Sequence, residues 1–274
     1  MTTSEMAKPS LAELAGPTPC HTPAGRLAGR VCLVVGATSG IGRATALRMA
    51  EEGAAAVVVS GRRQALGEEL ADALSRTGTK SLFVAADVTC EAHLADLVSQ
   101  TMIRFGRLDV AFNNAGFQER RASLVAQTDE VYGQVFDTNV RALFHAMRHE
   151  IPALIASGGG AIVNNTSVSG MRNPNPGLSL YSASKAAAIA LTRTAAMEYA
   201  PQGVRINAVA PGRVVTDMML SSGIADMRTV ARSLPLRRMG HPEEVAAAVV
   251  WLLSEAASYV VGHVLATDGG FLAG

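Results

Sequence analysis

Short runs of branched apolar residues alternate along this chain with longer stretches whose apolar positions recur every three or four residues. That is the pattern of buried strands followed by amphipathic helices. Val31–Val35 is the first such run, β-branched and long enough for a strand buried on both faces. A helical stretch over Arg43–Glu52 follows, then a strand over Ala56–Ser60, a helix over Gln64–Thr77 and a strand over Ser81–Ala85. The alternation continues with a helix over Glu91–Phe105, a strand over Leu108–Phe112, a long helical region from Asp129 to Ala156 and a strand over Ala161–Asn164. A helix carrying Tyr181, a strand over Arg205–Val209, an apolar helix from Pro242 to Leu253 and a short strand over His263–Ala266 complete the series. No linker or internal repeat interrupts residues 27–274. The prediction is therefore an α/β fold: one single-domain, doubly wound (Rossmann-type) parallel sheet of about seven strands with helices on both faces.

Residues 1–26 are rich in Pro, Thr, Ala and Gly and show no sustained periodicity, so a flexible N-terminal extension is expected there. They lack the basic start and apolar core of a secretory signal. The longest apolar run, Val245–Leu253, is too short to span a bilayer.

With 49% hydrophobic and 17% charged residues among 274, the composition suits a well-buried core. The formal net charge is +1 and no acidic or basic block occurs, which gives nucleic-acid or membrane-surface roles no electrostatic support. Cys20, Cys32 and Cys90 form neither an even disulfide set nor a metal-spaced cluster, so reduced thiols in a cytoplasmic protein are expected. His145 and His149 share a helix face at i,i+4, but no third ligand accompanies them, and no metal is expected.

The chemistry begins at Gly36-Ala-Thr38-Ser39-Gly40-Ile41-Gly42, set between the first strand and the helix after it. Strand, glycine-rich turn and helix together aim backbone N–H groups and a helix N-terminus at a pyrophosphate. A plain strand-to-helix turn is the alternative, and the flanking elements favour nucleotide binding. The second strand ends in Ser60-Gly-Arg62-Arg63, without the acid that would hold the ribose 2′-hydroxyl of NAD. Arg62 or Arg63 matches the 2′-phosphate of NADP instead, so NADP(H) is preferred over NAD(H), for which Ser60 and the backbone would serve the ribose. Asp87 and Val88 follow the third strand, where Asp87 would accept from an adenine amino group or else cap the next helix. Asn113-Asn114-Ala115-Gly116 closes the fourth strand and would line the cofactor crevice or make a turn.

Tyr181 and Lys185 lie one helical turn apart on one face. An ammonium near a phenol favours the phenolate and brings it into range for proton transfer. Asn139 sits inside a predicted helix, a poor place for an amide without a partner. Ser167 and Ser169 place hydroxyls just beyond the fifth strand. Phe117, Met171, Leu178, Met218 and Met219 suggest an apolar substrate pocket, with Ser169 beside it. The methionine-bearing stretch from Asp217 to Pro235 suits an adaptable lid or plain packing.

Taken in order, Gly36-x-x-x-Gly40-x-Gly42, Asp87, Asn113-Asn-Ala-Gly116, Asn139, Ser167, Tyr181-x-x-x-Lys185 and Pro211-Gly212 resemble the short-chain dehydrogenase/reductase family over about Leu27 to Gly270. The resemblance implies hydride transfer between nicotinamide and a secondary alcohol or ketone, with Tyr181 as general acid/base and Ser167, rather than its rival Ser169, holding the substrate oxygen. It further implies that Lys185 lowers the tyrosine pKa and bonds the nicotinamide ribose, and that Asn139 holds a water in the proton relay. Pro211, Gly212, Val214 and Thr216 would sit against the carboxamide. A homo-oligomer, tetramer or dimer, is also implied. Two departures stand out: Val35 replaces the usual threonine before the first glycine, and the segment from Ser167 to Tyr181 is one residue longer than is common. The alternatives are a nucleotide-sensing binding protein of the same fold without turnover, or a sugar-nucleotide epimerase or dehydratase. The complete Asn-Ser-Tyr-Lys set argues against the first; the glycine spacing and the lack of a longer substrate domain argue against the second.

Overall fold

A computed structural model of the chain describes residues 25–172, 176–224 and 226–274. The expected N-terminal extension, with Cys20, lies outside the described residues except for Gly25 and Arg26. Arg26 is tied down: its backbone N–H donates to Glu52 Oε2 at 3.0 Å and its Nη1 to Glu52 Oε1 at 3.2 Å.

Seven strands form one sheet: β1 (Val31–Val35), β2 (Ala56–Gly61), β3 (Lys80–Ala85), β4 (Val110–Asn113), β5 (Gly160–Asn165), β6 (Val204–Pro211) and β7 (Val264–Thr267). Their order is β3-β2-β1-β4-β5-β6-β7, and every pairing is parallel. β1 pairs with β2 from Val31↔Ala56 and with β4 from Cys32↔Val110. The chain thus winds outward from β1 in both directions, and the crossovers diverge there to leave a crevice at the strands' carboxyl ends.

The apolar runs are explained by burial on both faces. In β1, Cys32 and Val34 point into a core shared with Met49 of α1 (Gly40–Glu51), Leu70 and Leu74 of α2 (Gln64–Arg76) and Val249 of α9 (Pro242–Leu253). Leu33 and Val35 point the other way, toward Leu97 of α3 (Glu91–Phe105), Leu154 of α5 (Ala142–Ala156) and Ala188 of α6 (Ser179–Tyr199). Such strands show no polar alternation because neither face meets water.

The long helical region expected over Asp129–Ala156 is not continuous. A π-helical turn, Asp137–Arg141, separates α4 (Asp129–Phe136) from α5, and Asn139 sits within it. The residues from Asp217 to Pro235 form two short helices, α7 (Asp217–Leu220) and α8 (Met227–Ser233), whose Met227 and Ala231 pack with Val215, Leu234 and Met239. Two of the three methionines, Met218 and Met219, border the cavity described below, and Met227 is packing. His145 Nδ1 and His149 Nε2 both lie 3.5 Å from Glu91 Oε1, and no group of three metal-ligating side chains occurs among the described residues. Among those residues no helix is long and apolar enough to cross a membrane.

Among the ionisable groups deep in the fold, Glu150 lacks a countercharge. Glu150 of α5 is fully buried, and Asn113 Nδ2 donates to its Oε2 at 2.9 Å and to Asn164 Oδ1 at 3.0 Å. Burial pushes the Glu150 carboxyl up to about 7, against a smaller downward pull from Asn113. A carboxyl raised above its unfolded value stabilises the fold in its protonated form at low pH, and that contribution is lost as pH rises through the folded value. Glu150→Gln is therefore expected to match the parent near pH 4 and to gain on it between about pH 4.5 and 7, by at most roughly 1.4 kcal/mol per pH unit. Urea unfolding of both proteins across that range checks this; a gap that does not vary with pH removes Glu150 as a titrating burial.

Candidate active site

The site is built on the turn after β1. Gly36 has φ +85, where a side chain is strained, and a Cβ there would stand 2.8 Å from Ala115 Cα. Ser60 O accepts from Gly36 N at 3.1 Å and Ala37 N at 2.8 Å, and Asn114 Nδ2 donates to Gly36 O at 2.6 Å. These bonds close the turn although Val35 offers no side-chain partner. At Gly42 a Cβ would overlap Gly36 O and come within 2.6 Å of Asn114 Nδ2, so only glycine lets α1 start this close to the turn. Ser39, at the N-cap of α1, makes no side-chain cap, which leaves the first-turn N–H groups without one. A turn too tight for a Cβ at Gly36 or Gly42, leading into a helix N-terminus without a side-chain cap, fits a nucleotide pyrophosphate.

A cavity of about 960 Å³ opens here along the carboxyl edge of the sheet. Gly36, Thr38, Ser39, Gly40 and Ile41 line one wall. Arg62, Arg63, Asp87 and Val88 line the end beyond β2 and β3. Arg63 lies across the glycine turn, donating through Nε and Nη2 to Thr38 Oγ1 (3.1 and 2.9 Å) and through Nη2 to Ser39 Oγ (2.7 Å). Asp87 Oδ1 accepts from Thr89 N at 3.0 Å and Thr89 Oγ1 at 2.8 Å, bonds that hold its carboxyl below the usual range. Asp87 thus borders the cavity while ordering the loop before α3.

Asn114, Ala115 and Gly116 form the floor, and Pro211, Gly212, Val214 and Thr216 the far wall. Ser167, Ser169, Tyr181 and Lys185 face the middle, with Phe117, Leu178, Met218 and Met219 around the outer half. Four expected site residues lie elsewhere. Gly42 sits behind the turn, and Ser60 is fully buried and reaches the turn only through its carbonyl. Met171 is 46% exposed and outside the cavity, because the segment after Ser167 turns it toward solvent.

Asn139 is the fourth. Its Oδ1 accepts from Phe117 N at 2.8 Å, and its Nδ2 donates to Phe117 O at 2.8 Å and Ser184 Oγ at 2.9 Å. The π turn aims this amide inward, clamping the Phe117 loop to α6, and it lines a small pocket beside Lys185. Asn113, the first of the two adjacent amides, also turns from the cavity into the core.

Tyr181 opens α6, and its backbone N–H donates to both oxygens of buried Glu119 at 3.1 Å. Burial pushes the Tyr181 phenol up; the Ser167 hydrogen bond pulls it down, the Glu119 charge raises it and the Arg213 charge lowers it. Lys185 Nζ lies 5.7 Å from the Tyr181 ring centroid and donates to Asn165 O at 2.8 Å; burial lowers its pKa to about 8. The expectation that Lys185 brings the phenol down is corrected to this extent: the net shift in the protein itself is upward, and the downward influences are Ser167 and Arg213. Sequence reading passed over Asn165, Glu119 and Arg213. Asn165 could have been found as a third amide at a strand end, and Arg213 as a lone cation in an apolar stretch; nothing local marks Glu119.

Residues 36–272 match the family model described as enoyl-(acyl carrier protein) reductase. The chain is 41% identical over 251 residues to the A-factor type gamma-butyrolactone 1′-reductase (1S-forming) of Streptomyces virginiae, covering 90% of this chain and 97% of that protein. It is 42% identical over 246 residues to cis-4-hydroxycyclohexanecarboxylate dehydrogenase of Sinomonas cyclohexanicum, covering 89% and 97%. The crystal structure of levodione reductase superposes with a TM-score of 0.86 at 35% identity, covering 90% of this chain and 99% of the other.

Gly42→Ala is expected to weaken binding of either reduced nicotinamide nucleotide at least tenfold while the circular dichroism spectrum stays that of the parent. Unchanged nucleotide affinity, read by cofactor fluorescence, would show that the turn is not the phosphate cradle.

Proposed function

The chain belongs to the short-chain dehydrogenase/reductase family, and we propose that Tyr181 is its acid/base in the nicotinamide-dependent interconversion of a cyclic secondary alcohol and its ketone, with NADP(H) preferred over NAD(H). Residues 27–274 act as one catalytic unit in this reading. The observation that carries it is the meeting of Tyr181, Ser167 and Lys185 in the cavity that the glycine turn opens onto. The ring is suggested by the relative that acts on a hydroxycyclohexanecarboxylate and by the apolar walls Leu178, Met218 and Met219.

When bound, the nicotinamide supplies or accepts the hydride at its C4. In the reducing direction the Tyr181 hydroxyl gives its proton to the carbonyl oxygen as that oxygen gains charge; in oxidation the phenolate takes the proton from the substrate hydroxyl. The Ser167 hydroxyl holds the same oxygen, so the reacting carbon is fixed in the middle of the cavity. Lys185 and Asn165 set the far side of Tyr181, where the ammonium would bond a ribose. Arg62, with Arg63 already bridged to Thr38 and Ser39, offers the charged fork a 2′-phosphate needs.

Phe144 and Met197 stand exposed on α5 and α6, which supports association of copies through those helices as a tetramer or dimer. Cys32 and Cys90 are free thiols, in keeping with the cytoplasm.

Tyr181→Phe should keep nucleotide binding and lose on the order of 10²–10⁴ in kcat. Because the phenol is pushed up, its proton is present through the neutral range, so reduction should hold across it while alcohol oxidation climbs with pH. Near-normal turnover in the phenylalanine variant would remove Tyr181 from the chemistry. Arg62→Ala should raise the Kd of NADPH at least tenfold more than that of NADH; equal effects on the two would sink the 2′-phosphate role.

A further inference from the structure

The outer half of the cavity holds a cation to which the hydride chemistry gives no task. Arg213 follows the Pro211-Gly212 turn at the end of β6, is half-buried, and lines the cavity together with Tyr181, Ser167 and Met219. Its Cζ lies 6.0 Å from the centroid of the Phe271 ring. Among the described residues its guanidinium makes no ion pair and no side-chain hydrogen bond. Glu119, the buried acid at this end of the site, is engaged through both oxygens by the Tyr181 amide.

The surroundings make this charge unfavourable as it stands. Burial lowers the pKa of Arg213, and the charge of nearby Arg121 lowers it further, with only the Tyr181 side chain acting the other way. The Arg121 charge acts against that of Arg213, and a partly desolvated charge without a partner carries a cost. A carboxylate would relieve both, and the planar fork of arginine donors is shaped to take one bidentately. The arginines at the opposite end of the cavity, Arg62 and Arg63, flank the glycine turn and belong to the nucleotide half. Leu178, Met218, Met219 and Phe271 line the same outer half as Arg213, apolar surfaces suited to a hydrocarbon frame.

We propose that Arg213 binds a carboxylate carried by the substrate, so that this enzyme's preferred substrates are keto acids and hydroxy acids whose charged group lies away from the reacting carbon. The proposal rests on the oxidoreductase reading above and adds to it the recognition element that selects the substrate. Arg213 then acts as a specificity-determining residue: it sets which ketone is held with its oxygen at Ser167 and Tyr181. Its charge also bears on the phenol, an effect every ketone would share.

The test compares 4-oxocyclohexanecarboxylate with its methyl ester, using enzyme saturated with its reduced nicotinamide nucleotide. The parent should show kcat/KM at least tenfold higher for the acid, mainly through KM. In Arg213→Gln that ratio should fall at least tenfold, and Arg213→Lys should restore part of it. Any influence of Arg213 on Tyr181 or on folding acts on both ketones and cancels in the ratio. A parent enzyme that favours the ester, or a glutamine variant that loses equally on both, overturns the proposal. A second readout needs no turnover: calorimetric titration of the parent, with and without nucleotide, by cyclohexanecarboxylate and by cyclohexanecarboxamide. Tighter, salt-sensitive binding of the carboxylate that disappears in Arg213→Gln supports the anion site even if no ketone is reduced, an outcome that would count against the oxidoreductase reading instead. Equal binding of acid and amide overturns the anion site even if ketones are reduced normally.

Discussion

A file of amide contacts across the carboxyl ends of three strands holds this site together. Asn114 Nδ2 donates to Gly36 O, Asn165 Nδ2 donates to Asn114 Oδ1 at 2.8 Å, and Lys185 Nζ donates to Asn165 O. The file runs from the glycine turn after β1, through the ends of β4 and β5, to the middle of α6. It ties the glycine turn and the ammonium beside Tyr181 into one hydrogen-bonded frame. Its members are side chains and carbonyls of irregular backbone at strand ends, where ladder partners have run out and side-chain partners must be found.

The same economy of polar groups governs the layer beneath. Asn113 faces the core and spans to Glu150 and Asn164, and Asn164 Nδ2 donates in turn to Thr192 of α6 at 2.9 Å. Asn139 binds the Phe117 loop to Ser184. These buried polar groups cross-link α5 and α6 to the sheet directly under the site, and satisfied networks of this kind rigidify what they connect. Glu150 Oε1 and Asn113 Oδ1 have no hydrogen-bond partner, and burial in that setting raises the Glu150 pKa.

The two ends of the cavity follow different physics. At the glycine-turn end the lining consists of glycines, the start of α1 and arginines at the rim. At the other end, methionines and a phenylalanine make an adaptable apolar wall that also holds Arg213, a half-buried charge without an ion-pair partner among the described residues. The family relationship accounts for an oxidoreductase acting on an alcohol or ketone.

The order of strands and helices was legible in the sequence because a doubly covered parallel sheet demands apolar runs, and Val31–Val35 and Ala56–Val59 supply them. The glycine spacing and the Tyr181–Lys185 interval were legible for a similar reason: local backbone geometry alone fixes what they can do. What the linear pattern could not show is where long-range partners fall. The π turn that aims Asn139 inward keeps the hydrophobic rhythm of a continuous helix, so the break is decided by the Phe117 and Ser184 contacts it makes. Met171 reads as a pocket residue by type, yet the path of its loop puts it in solvent. The direction of the Tyr181 shift was decided by burial and by Glu119, a residue 62 positions away in the chain. Local geometry and periodicity are written in the sequence itself, whereas desolvation and charge pairing exist only once distant segments have been packed together.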